Sequence, residues 1–206
     1  MPASRTKHLA EAATTFSQSL GERGREFLET RGIADQAGGK GLGEVPQDCD
    51  PEWHPYRGML SIPYLTASNE VVNIRFRNLT DSGPKYLQLP GTPVGPYNLK
   101  ALTEDASTVV IAEGELDAVT LSALGIAAIG MPGANSWKHH YARLFDGIQN
   151  VIVWGDPDDA GRKFNAEIQK SIPRALAAYM EKDINDTYVQ DGPMPILEAY
   201  SKAGGA

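Results

Sequence analysis

Two short apolar runs, Val109-Val110-Ile111-Ala112 and Val151-Ile152-Val153-Trp154, each break off into carboxylates and then give way to a helical pattern. The first leads into Glu113-Gly114-Glu115-Leu116-Asp117, the second into Gly155-Asp156-Pro157-Asp158-Asp159-Ala160-Gly161-Arg162. Continuous β-branched runs without polar alternation are how parallel strands buried on both faces read, so the chain is constrained to an α/β sheet with helices packed on it. Ligands of such sheets bind beyond the carboxyl ends of the strands. Glu113 and the Asp156/Asp158 pair are therefore expected to converge in one cleft. Carboxylates crowded together must protonate, strain, or share a cation, and a hard divalent ion such as Mg²⁺ or Mn²⁺ relieves both costs. Because Mg²⁺ takes few carboxylates and completes its shell with water and phosphate, the cluster points to phosphoryl or nucleotidyl chemistry. The plainer reading of Glu113 and Asp117, acids favoured at a helix start by the macrodipole, applies to either half taken alone.

The remaining sequence bounds what surrounds that cluster. A chain of 206 residues holds one large or two small domains with real cores. No apolar run approaches the ~20 residues of a membrane span, and the polar N-terminus has no signal-peptide core, so a cytoplasmic setting is expected. A single cysteine, Cys49, excludes an internal disulfide and a four-cysteine zinc ribbon made by this sequence alone. The net charge of −7 is uneven: residues 1–55 carry 6 basic and 9 acidic side chains, 56–100 carry 5 and 2, and 101–206 carry 8 and 15. The stretch 56–100 is thus locally basic, and it is a local basic face that a phosphate backbone detects.

In chain order, residues 1–31 read as helical, with a break at Ser19-Leu20-Gly21 and a stop at Gly32. Residues 34–55 have glycines, prolines and acids without periodicity and read as a loop. Gly38-Gly39-Lys40 lacks both a preceding strand and a following Ser or Thr, so it is no P-loop. Residues 58–77 read as a hairpin, with Val72, Ile74 and Phe76 on one face of the second strand and Asn73, Arg75 and Arg77 on the other. Pro84 to Pro90 adds a third short strand. Beyond residue 101 strand and helix alternate: Val109 to Glu113, Leu116 to Leu124, Ala127 to Gly130, Val151 to Trp154 and Ala160 to Ile172. A last strand is expected around Arg174 to Met180, because Pro173 breaks the preceding helix and βαβ order calls for one. Lys182-Asp183-Ile184-Asn185-Asp186 resembles the Lys-Asp-x-(Asn/Asp)-(Asp/Glu) segment that carries further acids in primase TOPRIM domains, and as plain sequence it reads equally as a helix cap.

Glu113-Gly114-x-x-Asp117 after one strand, and Asp156-x-Asp158-x-Ala160-Gly161 after another, resemble the TOPRIM signature of bacterial DnaG-type primases, topoisomerases and some nucleases. An isolated Asp-x-Asp also suits a haloacid-dehalogenase-like phosphatase, but the Thr or Val that usually follows is replaced here by Asp159-Ala160-Gly161. The segments Arg57 to Pro63, Arg75, Arg77 and Lys85-Tyr86-Leu87 resemble the N-terminal subdomain of the primase catalytic core, where matching basic residues face template and nucleotides. Tyr97-Asn98-Leu99 resembles the segment that ends it, although the basic residue that usually precedes is missing from Thr92 to Pro96. The resemblance covers roughly residues 25–192.

It implies an α+β template- or nucleotide-binding subdomain over 1–100, containing the antiparallel hairpin, and a TOPRIM catalytic domain with a parallel sheet over 101–206. It implies a small or split primase of the kind phages encode, making primers on single-stranded DNA from nucleoside triphosphates with Mg²⁺ or Mn²⁺. Glu113, Asp117, Asp156 and Asp158 would be catalytic; Glu113, Asp156, Asp158 and Asp183 would hold metal. Arg57, Arg75, Arg77 and Lys85 would bind nucleic acid or nucleotide. Primases of this type are usually placed on template by a zinc-binding domain and a helicase, so a replicative helicase or zinc-binding subunit acting in trans is expected. The alternatives are a TOPRIM nuclease that activates water with the same acids, and a non-catalytic adaptor that binds template or helicase; a topoisomerase would need a large gate domain for which there is no room.

Overall fold

The computed structural model describes residues 3–92, 94–103 and 106–205. The chain divides into two compact units, Met1–Val94 and Gly95–Ala206. Residues 95–100, grouped with the first half by the sequence reading, pack with the second because Tyr97 forms a bridge to Gly130: Tyr97 N donates to Gly130 O at 2.8 Å and Gly130 N to Tyr97 O at 3.2 Å.

The first unit is a four-stranded antiparallel sheet, in the order β1-β2-β3-β4, covered by helices. Helices α1 (Ala3–Gln18) and α2 (Glu22–Thr30) are separated at the expected break, and α1 buries Leu9, Ala12, Ala13 and Phe16. Strands β2 (Leu60–Leu65) and β3 (Val71–Arg77) form the hairpin, and β4 (Tyr86–Gln88) pairs with β3. Residues 34–55 are more ordered than their composition suggests. They contain a short helix α3 (Ala37–Lys40), a two-residue strand β1 (Gly43–Glu44) that pairs with β2, and the start of a 3-10 segment, Pro51–Tyr56. The core beneath the sheet is aromatic: Tyr56 stacks on Phe76 at 4.0 Å between centroids, and Trp53 meets Phe16 edge to face at 5.3 Å. On β3 the buried residues are Val71, Ile74 and Phe76, with Val72 only half-buried and Asn73 buried. The expected strict alternation fails at its first position because the β2–β3 register shifts at Tyr64/Leu65, and an irregularity of that kind moves every residue before it to the other face.

The second unit is a parallel sheet in the order β6-β5-β7-β8, built from β5 (Thr108–Ala112), β6 (Ala128–Gly130), β7 (Asn150–Trp154) and β8 (Leu176–Ala177). Every residue of β5 is buried, as a strand covered on both faces requires. Helices α4 (Glu115–Ala123) and α5 (Asp159–Ser171) follow β5 and β7, and Phe164 and Ile168 of α5 pack with Val109, Ile111, Val151 and Val153. The expected last strand exists but is short, and after it come α6 (Ile184–Asp191) and α7 (Met194–Lys202), which apolar periodicity did not announce. Among the described residues no helix is long and apolar enough to cross a membrane.

Candidate active site

Strands β5 and β7 are neighbours, with Ala112 in register with Trp154, so the residues just past them emerge side by side. Glu113 and Asp156 are brought together by this register: Glu113 Oε2 accepts a hydrogen bond from the Asp156 backbone N–H at 3.1 Å. Partial burial pushes the Glu113 carboxyl above the ordinary glutamate range; the Asp156 N–H pulls it back and the Asp158 charge pushes it up again. The charges of Glu113 and Asp158 thus oppose each other, a cost that a bound cation would offset.

Each acid is set by local backbone chemistry. Asp158 is the N-cap of α5, accepting from Gly161 N at 2.8 Å. The glycine is required: a Cβ on Gly161 would lie 2.0 Å from the Asp156 carbonyl oxygen, so any larger residue would push the Asp156 loop away. Asp117 sits in the first turn of α4 with its carboxylate folded over Gly114, where a Cβ would come within 2.5 Å of Asp117 Oδ2. The Glu-Gly-x-x-Asp and Asp-x-Asp-x-Ala-Gly spacings thus have a steric reason. Asp183 begins α6 as its N-cap, accepting from Asp186 N at 2.6 Å. Of the two readings open for its segment, the cap is seen directly.

Two residues that sequence reasoning passed over hold these pieces in place. Buried Asn165, in the second turn of α5, accepts from Gly155 N at 2.8 Å and anchors the loop carrying Asp156. Buried Asn185 donates to Thr120 at 3.0 Å, tying α6 to α4. Their partners lie 10 and 65 residues away in sequence, outside any local spacing motif.

Among the described residues no three carboxylate, histidine or cysteine side chains are placed to hold a metal ion together. Glu113, Asp156, Asp158 and Asp183 are thus not a preformed cage. The arrangement still fits Mg²⁺ or Mn²⁺: such ions take hard oxygen donors, need only one or two carboxylates from protein, and leave positions for water and phosphate. The mutual repulsion of Glu113 and Asp158 is the charge such an ion would neutralise.

In the first unit Arg75 and Arg77 share a face of β3, with Arg77 opposite Tyr86 of β4. The Arg75 guanidinium lies 4.1 Å from the Tyr86 ring centroid and that of Arg77 5.0 Å, with Arg77 also donating to Tyr86 Oη at 3.2 Å. Arg57 and Lys85 are exposed, Arg57 just before β2 and Lys85 at the entry to β4.

A family profile described as Toprim-like matches residues 110–188. The Gene 57 protein of Mycobacterium phage D29 is 39% identical over 149 residues, covering 69% of this chain and 98% of that protein. The chain belongs to the TOPRIM primase-core family. The DNA primase of Pseudomonas aeruginosa is 28% identical over 164 residues, covering 75% of this chain but only 24% of its own length, so this primase core spans about a quarter of that bacterial relative. The fold is likewise that of a solved DnaG primase catalytic domain bound to single-stranded DNA, with a TM-score of 0.74 at 20% identity over 96% of this chain and 78% of that one. In this TOPRIM core the two signature halves fall at the carboxyl ends of adjacent strands, and the matched span runs from β5 into α6.

Proposed function

We propose that the chain is a DNA-directed nucleotidyltransferase that makes short primers on single-stranded DNA in the host cytoplasm. The observation that carries this reading is Glu113, held on the Asp156 backbone with the charge of Asp158 beside it at the carboxyl edge of a parallel sheet. The reaction is attack of a nucleotide 3′-hydroxyl on the α-phosphate of an incoming nucleoside triphosphate, with pyrophosphate leaving. Asp156, Asp158 and Glu113, with Asp183 as the further acid, would hold Mg²⁺ or Mn²⁺, which when bound would supply positive charge to the attacking and leaving oxygens. Glu113, in contact with the metal or its water, is the carboxylate placed to take the proton of the 3′-hydroxyl. Asp117 supports the turn that carries Glu113. Arg57, Arg75, Arg77 and Lys85 hold template phosphates or the triphosphate, and a helicase or zinc-binding polypeptide in trans keeps the enzyme on its template. The sequence relatives named DNA primases support this reading, as does the likeness to a DnaG domain solved with single-stranded DNA.

A TOPRIM nuclease would use the same acids on water, and an adaptor would use none of them. Incubating the protein with labelled nucleoside triphosphates, single-stranded circular DNA and Mn²⁺ separates the three. Labelled oligonucleotides on intact circles support the primase reading; nicked or linearised circles without labelled product, or no change at all, overturn it.

A further inference from the structure

Helix α5 turns one stripe inward, with Gly161, Phe164, Asn165 and Ile168 buried at helical spacing. Asn165 is the polar side chain among them, at a position where an apolar one would pack without a hydrogen bond to satisfy. Its Oδ1 accepts from Gly155 N at 2.8 Å. Gly155 lies past the last residue pairs of β7, which are Trp154 with Ala112 of β5 and Val153 with Ala177 of β8, and it is Asn165 rather than a strand that receives its N–H. A glycine is required at 155, because a Cβ there would lie 2.4 Å from the Gly161 carbonyl oxygen. Glycine leaves φ and ψ loosely held, and the next N–H along the chain is the one that Glu113 Oε2 accepts, at 3.1 Å. Asn165 therefore restrains a hinge whose far side is the contact between Asp156 and Glu113.

We propose that Asn165 is a positioning residue for the divalent-metal site: by fixing the Gly155 peptide it holds the Asp156 N–H on Glu113, and the affinity of the acids for Mg²⁺ or Mn²⁺ depends on it. The proposal rests on the reading that these acids bind such an ion for nucleotidyl transfer. Asn165 acts through the backbone of residues 155 and 156 and touches neither ion nor substrate. Helix α5 also begins at its N-cap Asp158, so Asn165 ties Glu113, by way of Asp156, to the element that carries the opposing charge. Carboxylates that repel one another drift apart when the segments carrying them are loose, and an ion that has to gather and order them binds less tightly. An amide oxygen supplies the acceptor without adding a further negative charge behind Glu113, Asp156 and Asp158.

The test is Mn²⁺ affinity, read from the electron paramagnetic resonance signal of free Mn²⁺ well below the melting temperature. It compares the wild-type chain with Asn165→Leu, Asn165→Ala and Asn165→Asp, and unchanged far-UV circular dichroism is required of each. Loss of an outer support of a metal ligand weakens metal binding by roughly 10–100-fold, so Asn165→Leu, which fills the space without an acceptor, should raise Kd about tenfold or more. Asn165→Ala leaves room for a water on the Gly155 N–H and should raise it about fivefold. Asn165→Asp keeps an oxygen for that N–H and should stay within about twofold of wild type, although its buried carboxyl lowers the metal-free Tm. An amide with a structural role alone would lower the Tm of Asn165→Leu and leave its Kd unmoved. Wild-type Kd in folded Asn165→Leu, or in Asn165→Ala where the leucine variant does not fold, would therefore overturn the proposal while leaving the nucleotidyl-transfer reading standing. Binding by Asn165→Asp as weak as that of Asn165→Leu would overturn it too, because the acceptor oxygen would then not be what matters. A wild type that binds no Mn²⁺ would overturn the metal reading and the proposal with it.

Discussion

At Glu113 stability and chemistry pull in opposite directions. Its carboxylate is partly buried and faces the Asp158 charge, so its affinity for a proton is higher in the folded than in the unfolded chain. The sign follows: without metal, the folded state binds the extra proton, so acidification from neutral toward the ordinary glutamate range stabilises it, and rising pH removes that gain. Glu113→Gln keeps an oxygen for the Asp156 N–H but removes the charge. It should therefore raise the metal-free Tm at neutral pH by roughly 1–3 °C, flatten this part of the pH dependence, and abolish the Tm increase that excess Mn²⁺ gives the wild type. Differential scanning fluorimetry with and without EDTA reads all three, and a lower metal-free Tm with an intact Mn²⁺ response would contradict the account. The acids were legible in the sequence because each follows an apolar run, where strand ends are expected. Asn165 and Asn185 were not, because a buried amide shows its purpose only through a partner that folding brings to it.

Elements were legible where their pattern is strong and lost where it is short. The buried strands, the hairpin and the two N-terminal helices stand out by apolar runs or period. Strands β1 and β8, of two residues each, are held by neighbours rather than by their own sequence, and the β2–β3 irregularity exchanges Val72 for Val71 in the core. That exchange has a consequence in stability. Ile74, fully buried, should cost about 2–4 kcal/mol as Ile74→Ala, whereas Val72→Ala should cost under about 1 kcal/mol, as urea denaturation would show. Equal costs would restore the simple alternation. On the opposite face, replacing Arg75, Arg77 and Lys85 together with Ala should weaken single-strand binding and flatten its salt dependence. Because Arg75 and Arg77 also pack on Tyr86, a small loss of Tm should accompany it. Unchanged binding and slope would reduce this face to an ordinary solvated strand.

For the whole molecule, charge sets the working conditions. A locally basic region of 5 basic and 2 acidic residues within a chain of net charge −7 offers few phosphate contacts, each weakened as salt rises. Priming by the purified chain at about 0.15 M salt should therefore be slow and poorly sequence-selective, and should rise when a helicase or zinc-binding polypeptide tethers the chain to template and raises its effective concentration. Fast, sequence-specific priming by the chain alone would place template reading within its own first unit. The central claim is that the acids at the ends of β5 and β7 carry out nucleotidyl transfer. It is tested most directly by template-dependent incorporation of labelled nucleotides with Mn²⁺, comparing the wild type with the Asp156→Asn/Asp158→Asn double variant. The account predicts short labelled products from the wild type and none from a folded double variant; equal incorporation by the two, or none by either with any template, would contradict it.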